Sequence, residues 1–431
     1  MRRMKGAAGL LTALLLAFQL SAQTFALANE DNGIKVVPVN FTHNGYSYEI
    51  EGVAKSTDGD YQMKSPARLA ARKLPSTYDP RSSGEITTVK DQASTGACWA
   101  FSALACAEQD LIKKGLENPS TEFSVPALVL SSNSGTATGK DDFSSGGNWL
   151  FAASALANGQ GLCYEDYEPF LESGTGNMIV SENKKSVSEY RLNYVMELSS
   201  TTQVKRKIME LGAVSASYFA GNGYMNHNNT AYYDPDASKN TIINHSVTVV
   251  GWDDNYSKDN FRYKPANNGA WLVKGSWGAD QDNDGFYWVS YDEAEFGQFC
   301  CYDFEESCDN TYHYSKMTGY VVNASNDGSV YGANVFTAKA DEKLDKAGFM
   351  YVGKTGSADY TLSVYTNVSD SDPIGVLETQ ISDSVSANGF YTVDFPEDIL
   401  LEEGEKYSIS VKFSGDSGRG YLLAESDRTS K

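Results

Sequence analysis

The chain has 431 residues, with 35 Lys and Arg against 56 Asp and Glu, a formal charge of −21 at neutral pH. So acidic a surface argues against nucleic acid and anionic lipid as partners, and solubility alone is reason enough for it. After the N-terminus no apolar span of about twenty residues occurs, so no transmembrane segment is expected.

Taken in order, the chain opens with Arg2, Arg3 and Lys5, an apolar run from Gly6 to Leu20, and the small-residue site Ala26-Leu27-Ala28. This is the pattern of a signal peptide over residues 1–28, and it predicts a secreted or cell-surface protein. Residues 29–73 are polar and end in ARLAARK. They are expected to be a propeptide cut before Leu74, or an N-terminal extension that stays attached.

From Leu74 to about Cys163 helical stretches dominate, among them WAFSALACAEQDLIKKG ending at Gly115 and NWLFAASALANGQ before Gly161. Cys98 opens the first of these, and Gln92 lies six residues upstream. A helix N-terminus concentrates positive charge and free N–H groups, which predicts an activated thiolate at Cys98. Gln92 is placed to aim an amide donor at the oxyanion that such a thiolate creates on a carbonyl. From Val204 the helix KIMELG leads into the strands VSASYFA, SVTVVGW, AWLVKG and GFYWVSY. His245 begins one of them in NHSVTVVGW, about 150 positions after Cys98, the order expected of a thiol nucleophile and its base. The other histidines, His43, His227 and His313, fall in segments without such a context.

These blocks resemble the papain family of cysteine peptidases, marked by a glutamine, GxCGSCWAF, NHAVxxVGY and KNSWG. Here stand Gln92, GACWAF (96–101), NHSVTVVGW (244–252) and KGSWG (274–278). LPSTYDPR (74–81) is similar to the family's mature start and SSGGNW (144–149) to its CNGG turn. The resemblance implies an α+β, papain-like two-lobe fold, a helical lobe carrying Cys98 and a β-rich lobe carrying His245, over residues 74–308. It further implies Cys98 as nucleophile, His245 as base and acid, and Gln92 with the Cys98 N–H as oxyanion hole. Gly146 and Gly147 would pair with an extended substrate, and Trp277 would shield the histidine. No cofactor and no metal are implied, and the substrates would be proteins or peptides.

The main departure is Gly275, where the family has the asparagine that orients the histidine. A water, Gln281 or Asn244 could take over that role. Two readings therefore stand: an exported cysteine endopeptidase weakened by Gly275, and a catalytically impaired surface adhesin or peptide-binding protein that keeps the cleft as a clamp. An amidase or transglutaminase ranks behind both.

Thr95 and Ser144 occupy positions where the family has disulfide cysteines. Cys106 is expected to be a small buried hydrophobe, while Cys163, Cys300, Cys301 and Cys308 are left without an assigned pairing. A zinc site at Cys300, Cys301, Cys308 and His313, and a calcium loop at DQDNDG (280–285), each match only part of their motif. Beyond about Asp309, short alternating runs from GYVVNA to GYLLAE predict an all-β sandwich over 309–431, ending so near Lys431 that a sandwich cut short is left open. A papain-like unit followed by such a domain resembles bacterial cysteine peptidases with a lectin-like domain. Cell-surface glycan stacked on Tyr320, Tyr331 and Tyr351 is the candidate ligand; strand tyrosines filling a core are the plainer alternative.

Overall fold

The computed structural model describes residues 36–38, 42–43, 46–47, 73–132, 146–158, 162–167, 169–170, 172–173, 177–178, 189–221, 223–237, 243–279, 282–308, 310–313, 318–323, 329–353, 356–414 and 420–425. The signal-peptide residues, ARLAARK before Lys73, Ser144, Asp280 and Gln281 lie outside them.

The central helix runs Cys98–Lys114 and is buried from Cys98 to Leu111. Gly115 ends it in a left-handed conformation, φ 73°, and Lys113 and Lys114 in its last turn complement the helix dipole. Because the helix is covered on all sides, its polar residues must find partners inside. Glu108 accepts from Thr87 Oγ1 at 2.7 Å and from the Phe123 N–H at 3.1 Å. Asp110 accepts from the Phe304 N–H at 2.7 Å and pairs with Lys114 at 2.8 Å. Two shorter helices, Val125–Ser132 and Trp149–Ala157, complete this lobe, the latter capped by Asn148 accepting from Leu150 N and Phe151 N.

The β-rich lobe is a sheet in which Tyr190–Glu197, Gly297–Glu306, Val214–Tyr218, His245–Asp253, Ala270–Lys274 and Phe286–Ser290 lie side by side. The strand His245–Asp253 is buried along almost its whole length. It therefore lacks a polar face, as expected of a strand covered on both sides. The helix Thr201–Leu211 covers the sheet with Val204, Ile208 and Leu211.

The C-terminal region is a sandwich. One layer is the four-stranded sheet Val330–Thr337, Lys406–Ser414, Ala358–Thr366, Val376–Val385. The other contains Glu342–Gly353 and Gly389–Leu401, and between them pack Phe349, Tyr351, Leu362, Val364, Tyr407 and Phe413. Tyr351 is fully buried, which removes it from any glycan-stacking set, while Tyr331 is 48 % exposed.

The second layer does not stop at the sandwich. Gly389, Phe390 and Tyr391 pair antiparallel with Met196, Val195 and Tyr194, so one sheet crosses from the C-terminal region into the β-rich lobe. A Cβ on Gly389 would lie 2.0 Å from the Val195 carbonyl oxygen, an approach only glycine permits. Asn388 closes this junction by donating from Nδ2 to Glu197 Oε2 at 2.9 Å and accepting from the Gly353 N–H at 2.8 Å. Residues 36–38 add a strand beside Val322 to Tyr320, at the far edge of the same sheet.

All six cysteines are free thiols. Cys106 is 1 % exposed, as a small buried hydrophobe would be. Cys300 and Cys301 point to opposite faces of one strand into separate apolar cores, which rules them out as joint zinc ligands.

Candidate active site

Cys98 is the first residue of its helix, and Ala97 before it offers no side-chain cap. The opening N–H groups therefore have no intrahelical acceptor. Ser102 Oγ donates to the Val247 carbonyl at 2.7 Å, which pins the helix to the histidine strand. One helical turn back from Ser102 is Cys98, and one pleat repeat back from Val247 is His245, so the same two faces carry both. Ser246, between them, turns its N–H and hydroxyl towards the Cys98 sulfur.

Burial pushes the Cys98 thiol above its ordinary value, against the downward pull of the N–H groups of Ser246, Trp99 and Cys98 itself. Burial likewise pushes His245 down to about 3. Burial thus opposes charge on both groups, while the helix end and the N–H groups around the sulfur favour the thiolate.

The imidazole of His245 stacks on Trp277, centroids 4.4 Å apart and planes 6° from parallel, and meets Tyr218 edge-on at 5.8 Å. Its Nε2 is buried and has no hydrogen-bond partner among the described residues. Asn244 is not the replacement orienter, because its Oδ1 accepts from the Ala220 N–H at 2.7 Å and its Nδ2 donates to the Ala220 carbonyl. A Cβ at Gly275 would stand 3.1 Å from the Gly285 carbonyl and 3.4 Å from Tyr287 Cε1. The side chain missing at 275 is thus matched by a large ring at 287, whose hydroxyl lies 2.9 Å from that of Tyr218.

Gln92 is buried and held at both ends of its amide. Ser276 Oγ donates to its Oε1 at 2.6 Å, and its Nε2 donates to the Thr95 carbonyl at 2.9 Å. The amide has two hydrogens, so one remains for an oxyanion. Main-chain bonds from Gln92 N to Ser276 O (2.8 Å) and from Gly278 N to Lys90 O (3.1 Å) tie the two loops together. Gly146 and Gly147 precede the cap of the third helix, and a Cβ at Gly147 would strike the Trp99 indole at 2.5 Å. Trp277 is 38 % exposed, enough to face a bound chain.

Behind the site, Lys274 Nζ donates to Thr87 Oγ1 at 2.6 Å and approaches Glu108 at 3.9 Å, while Lys90 lies 3.4 Å from Glu108. Sequence reasoning missed this network together with Ser246, Ser276, Tyr218 and Tyr287. The run Glu108-Gln109-Asp110, polar inside the apolar part of the helix, was the available signal for the network. Among the described residues no group of three or more His, Cys, Asp and Glu could hold a metal ion.

A family model described as papain family cysteine protease matches residues 74–331, and one described as lectin like domain matches 311–430. The solved cysteine protease and lectin-like domains of Cwp84, a surface layer associated protein of Clostridium difficile, are 25 % identical to this chain. That match has a TM-score of 0.73 and covers 92 % of this chain and 88 % of that one. The clostridial cysteine protease Cwp84 after propeptide cleavage is 27 % identical, with a TM-score of 0.70, covering 81 % and 88 %. Cathepsin S of Bos taurus is 29 % identical over 218 residues, 50 % of this chain and 60 % of its own. The chain spans about three-fifths of the length of several such curated relatives.

Proposed function

The chain belongs to the papain family of cysteine proteases, and on that premise we propose that it is an exported cysteine endopeptidase, residues 74–308 forming the peptidase unit and 309–431 the lectin-like sandwich. The observation that carries the reading is the convergence of a helix-opening Cys98, the His245–Ser246 strand start and a Gln92 clamped by Ser276. In this mechanism the Cys98 sulfur attacks the scissile carbonyl as its proton passes to His245. The Cys98 N–H and the free Gln92 amide hydrogen hold the oxyanion. His245 then protonates the leaving amine, and water attacks the thioester to release the acid and restore the thiol. Gly146, Gly147 and Trp277 border the substrate chain.

Export rests on the signal-peptide pattern, and a surface location is supported by likeness to Cwp84, described as surface layer associated. Removal of residues 29–73 is supported by the basic run before Leu74. Glycan at the sandwich is supported by the family of that domain and by the exposed Tyr331. The rival reading, a peptide clamp without turnover, draws on the burial that opposes charge on Cys98 and His245 and on an Nε2 without a partner among the described residues.

The test is alkylation of Cys98 by a thiol probe in wild type, Cys98→Ala and His245→Ala, alongside turnover of a peptide library. Labelling at Cys98 that depends on His245, with cleavage lost in both variants, establishes the peptidase. Labelling no faster than at the half-exposed Cys308, without cleavage at any pH, overturns it.

A further inference from the structure

Gly275 leaves an opening as well as an absence. With Gly285, Phe286 and Tyr287 from the next strand and Tyr218 from the facing one, it lines a recess of ≈ 340 Å³. A Cβ at Gly275 would point at two of these walls, 3.1 Å from the Gly285 carbonyl and 3.4 Å from the Tyr287 ring, so an asparagine side chain there would stand in the space. The floor is aromatic and buried: Tyr218, Tyr232 and Tyr287 are each at most 3 % exposed. The mouth opens to solvent, because Trp277, Gly223 and Asn229 among the lining residues are exposed. An apolar cavity of about 150 Å³ is enough to take up benzene, so this recess has room for a whole benzyl or indolylmethyl side chain. Rings gain from ring neighbours in offset and edge-on contact, and Met225 adds a thioether that packs well on a ring edge. A flat aromatic occupant is therefore favoured over a branched aliphatic one.

We propose that the recess beside Gly275 is a specificity pocket for an aromatic side chain of the substrate, on the leaving-group side of the scissile bond. The proposal rests on the peptidase reading. Trp277 joins the recess to the catalytic groups, since the indole that forms one wall also stacks on the His245 imidazole at 4.4 Å. His245 hands its proton to the departing amine, so the half of the substrate beyond the scissile bond runs past this imidazole and its Trp277 cover. A side chain on that half reaches the recess over Trp277 and buries its ring against Tyr218, Tyr232 and Tyr287. The substitution that removes an orienting side chain thereby opens a pocket, and the two effects of Gly275 fall on different steps: the histidine loses a partner, and the substrate gains a contact.

The full chain is assayed before and after cleavage at Leu74 with peptides that differ only in Phe, Leu or Ala at one of the three positions following the scissile bond. At one of these positions the Phe peptide is expected to exceed the Ala peptide about thirtyfold in kcat/KM and the Leu peptide about threefold. The gain should come chiefly through KM, because a ring buried away from the reacting atoms is held alike before and during the reaction. Met225→Trp and Ala220→Phe, each of which fills the recess, should bring the Phe peptide down to the level of the Ala peptide. Equal kcat/KM for the three peptides at every position, in a chain that still cleaves them, overturns the pocket and leaves the peptidase intact. A Phe preference that survives both substitutions overturns it as well, since the ring is then held elsewhere. No cleavage of any peptide defeats the peptidase reading, and this proposal with it.

Discussion

The β-rich lobe meets its two neighbours in different ways. Against the helical lobe it is joined largely by side chains, Ser102 to Val247, Ser276 to Gln92, and Lys274 to Thr87 beside Glu108, with two main-chain bonds, Gln92 N to Ser276 O and Gly278 N to Lys90 O, beside them. Against the sandwich it is joined by main chain, Gly389–Tyr391 pairing with Tyr194–Met196, with Asn388 to Glu197 and Lys346 to Glu305 as side-chain clasps. The side-chain seam leaves main-chain donors such as the Cys98 N–H unspent, and catalysis of the proposed kind uses them. The main-chain seam spends its donors on holding two units in one sheet. A seam that must host chemistry is built of side chains, and a seam that must only hold can be built of backbone.

Breaking the main-chain seam should give the largest effect. Gly389→Val drives a side chain into the Val195 carbonyl, and a loss exceeding about 4 kcal/mol is expected, with one calorimetric transition splitting into two. Breaking the side-chain seam comes next. Glu108→Gln leaves Lys274 buried without its countercharge, with an expected cost of about 3 kcal/mol in denaturant unfolding. Gln92→Ala removes an oxyanion donor and should lower kcat about 100-fold or more, with a cost of about 1–3 kcal/mol in unfolding from the partners left behind on Ser276 and Thr95. Ser276→Ala merely frees the Gln92 amide to turn, and about a tenfold loss in kcat is expected.

A separate test sharpens the comparison through pH. His245 sits at about 3 in the fold against an ordinary 6.5, so below 6.5 the unfolded chain takes up a proton that the folded one refuses. Its contribution to stability is complete above 6.5 and falls as pH drops towards 3, by about 1.4 kcal/mol per unit at most. The raised Cys98 thiol gives a companion signature: alkylation should climb through pH 9 without the plateau of an ion pair. Installing the missing orienter as Gly275→Asn alone crowds Gly285 and Tyr287. A plateau should appear below pH 9 only when Tyr287→Val accompanies it, read as the alkylation rate against pH.

The sequence made the helix from Cys98 and the strand from His245 legible because each carries a full period of apolar residues and an unambiguous terminus, Gly115 in the first case. It made the sandwich legible by alternation. What it could not reveal were the contacts between distant segments. Ser276 and Gln92 are 184 residues apart, and nothing in either neighbourhood announces the other. Tyr287 looked like one more strand aromatic until its ring was found against Gly275. The strand Tyr190–Glu197 escaped notice because buried polar partners, Asn193 to Asp303 among them, interrupt its alternation. The burial of Cys98 was equally hidden, since exposure is set by the whole fold while the helix dipole is set locally.

The sheet that runs through both units also decides what either unit is worth alone. Cut away from its neighbour, the strand YRLNYVME would present Tyr194, Val195 and Met196 as an open edge of unpaired N–H and C=O groups. Such an edge invites another copy to add a strand, so a truncated peptidase unit would be sticky before it was unstable. The sandwich is, in this respect, the edge guard of the papain-family unit beside it.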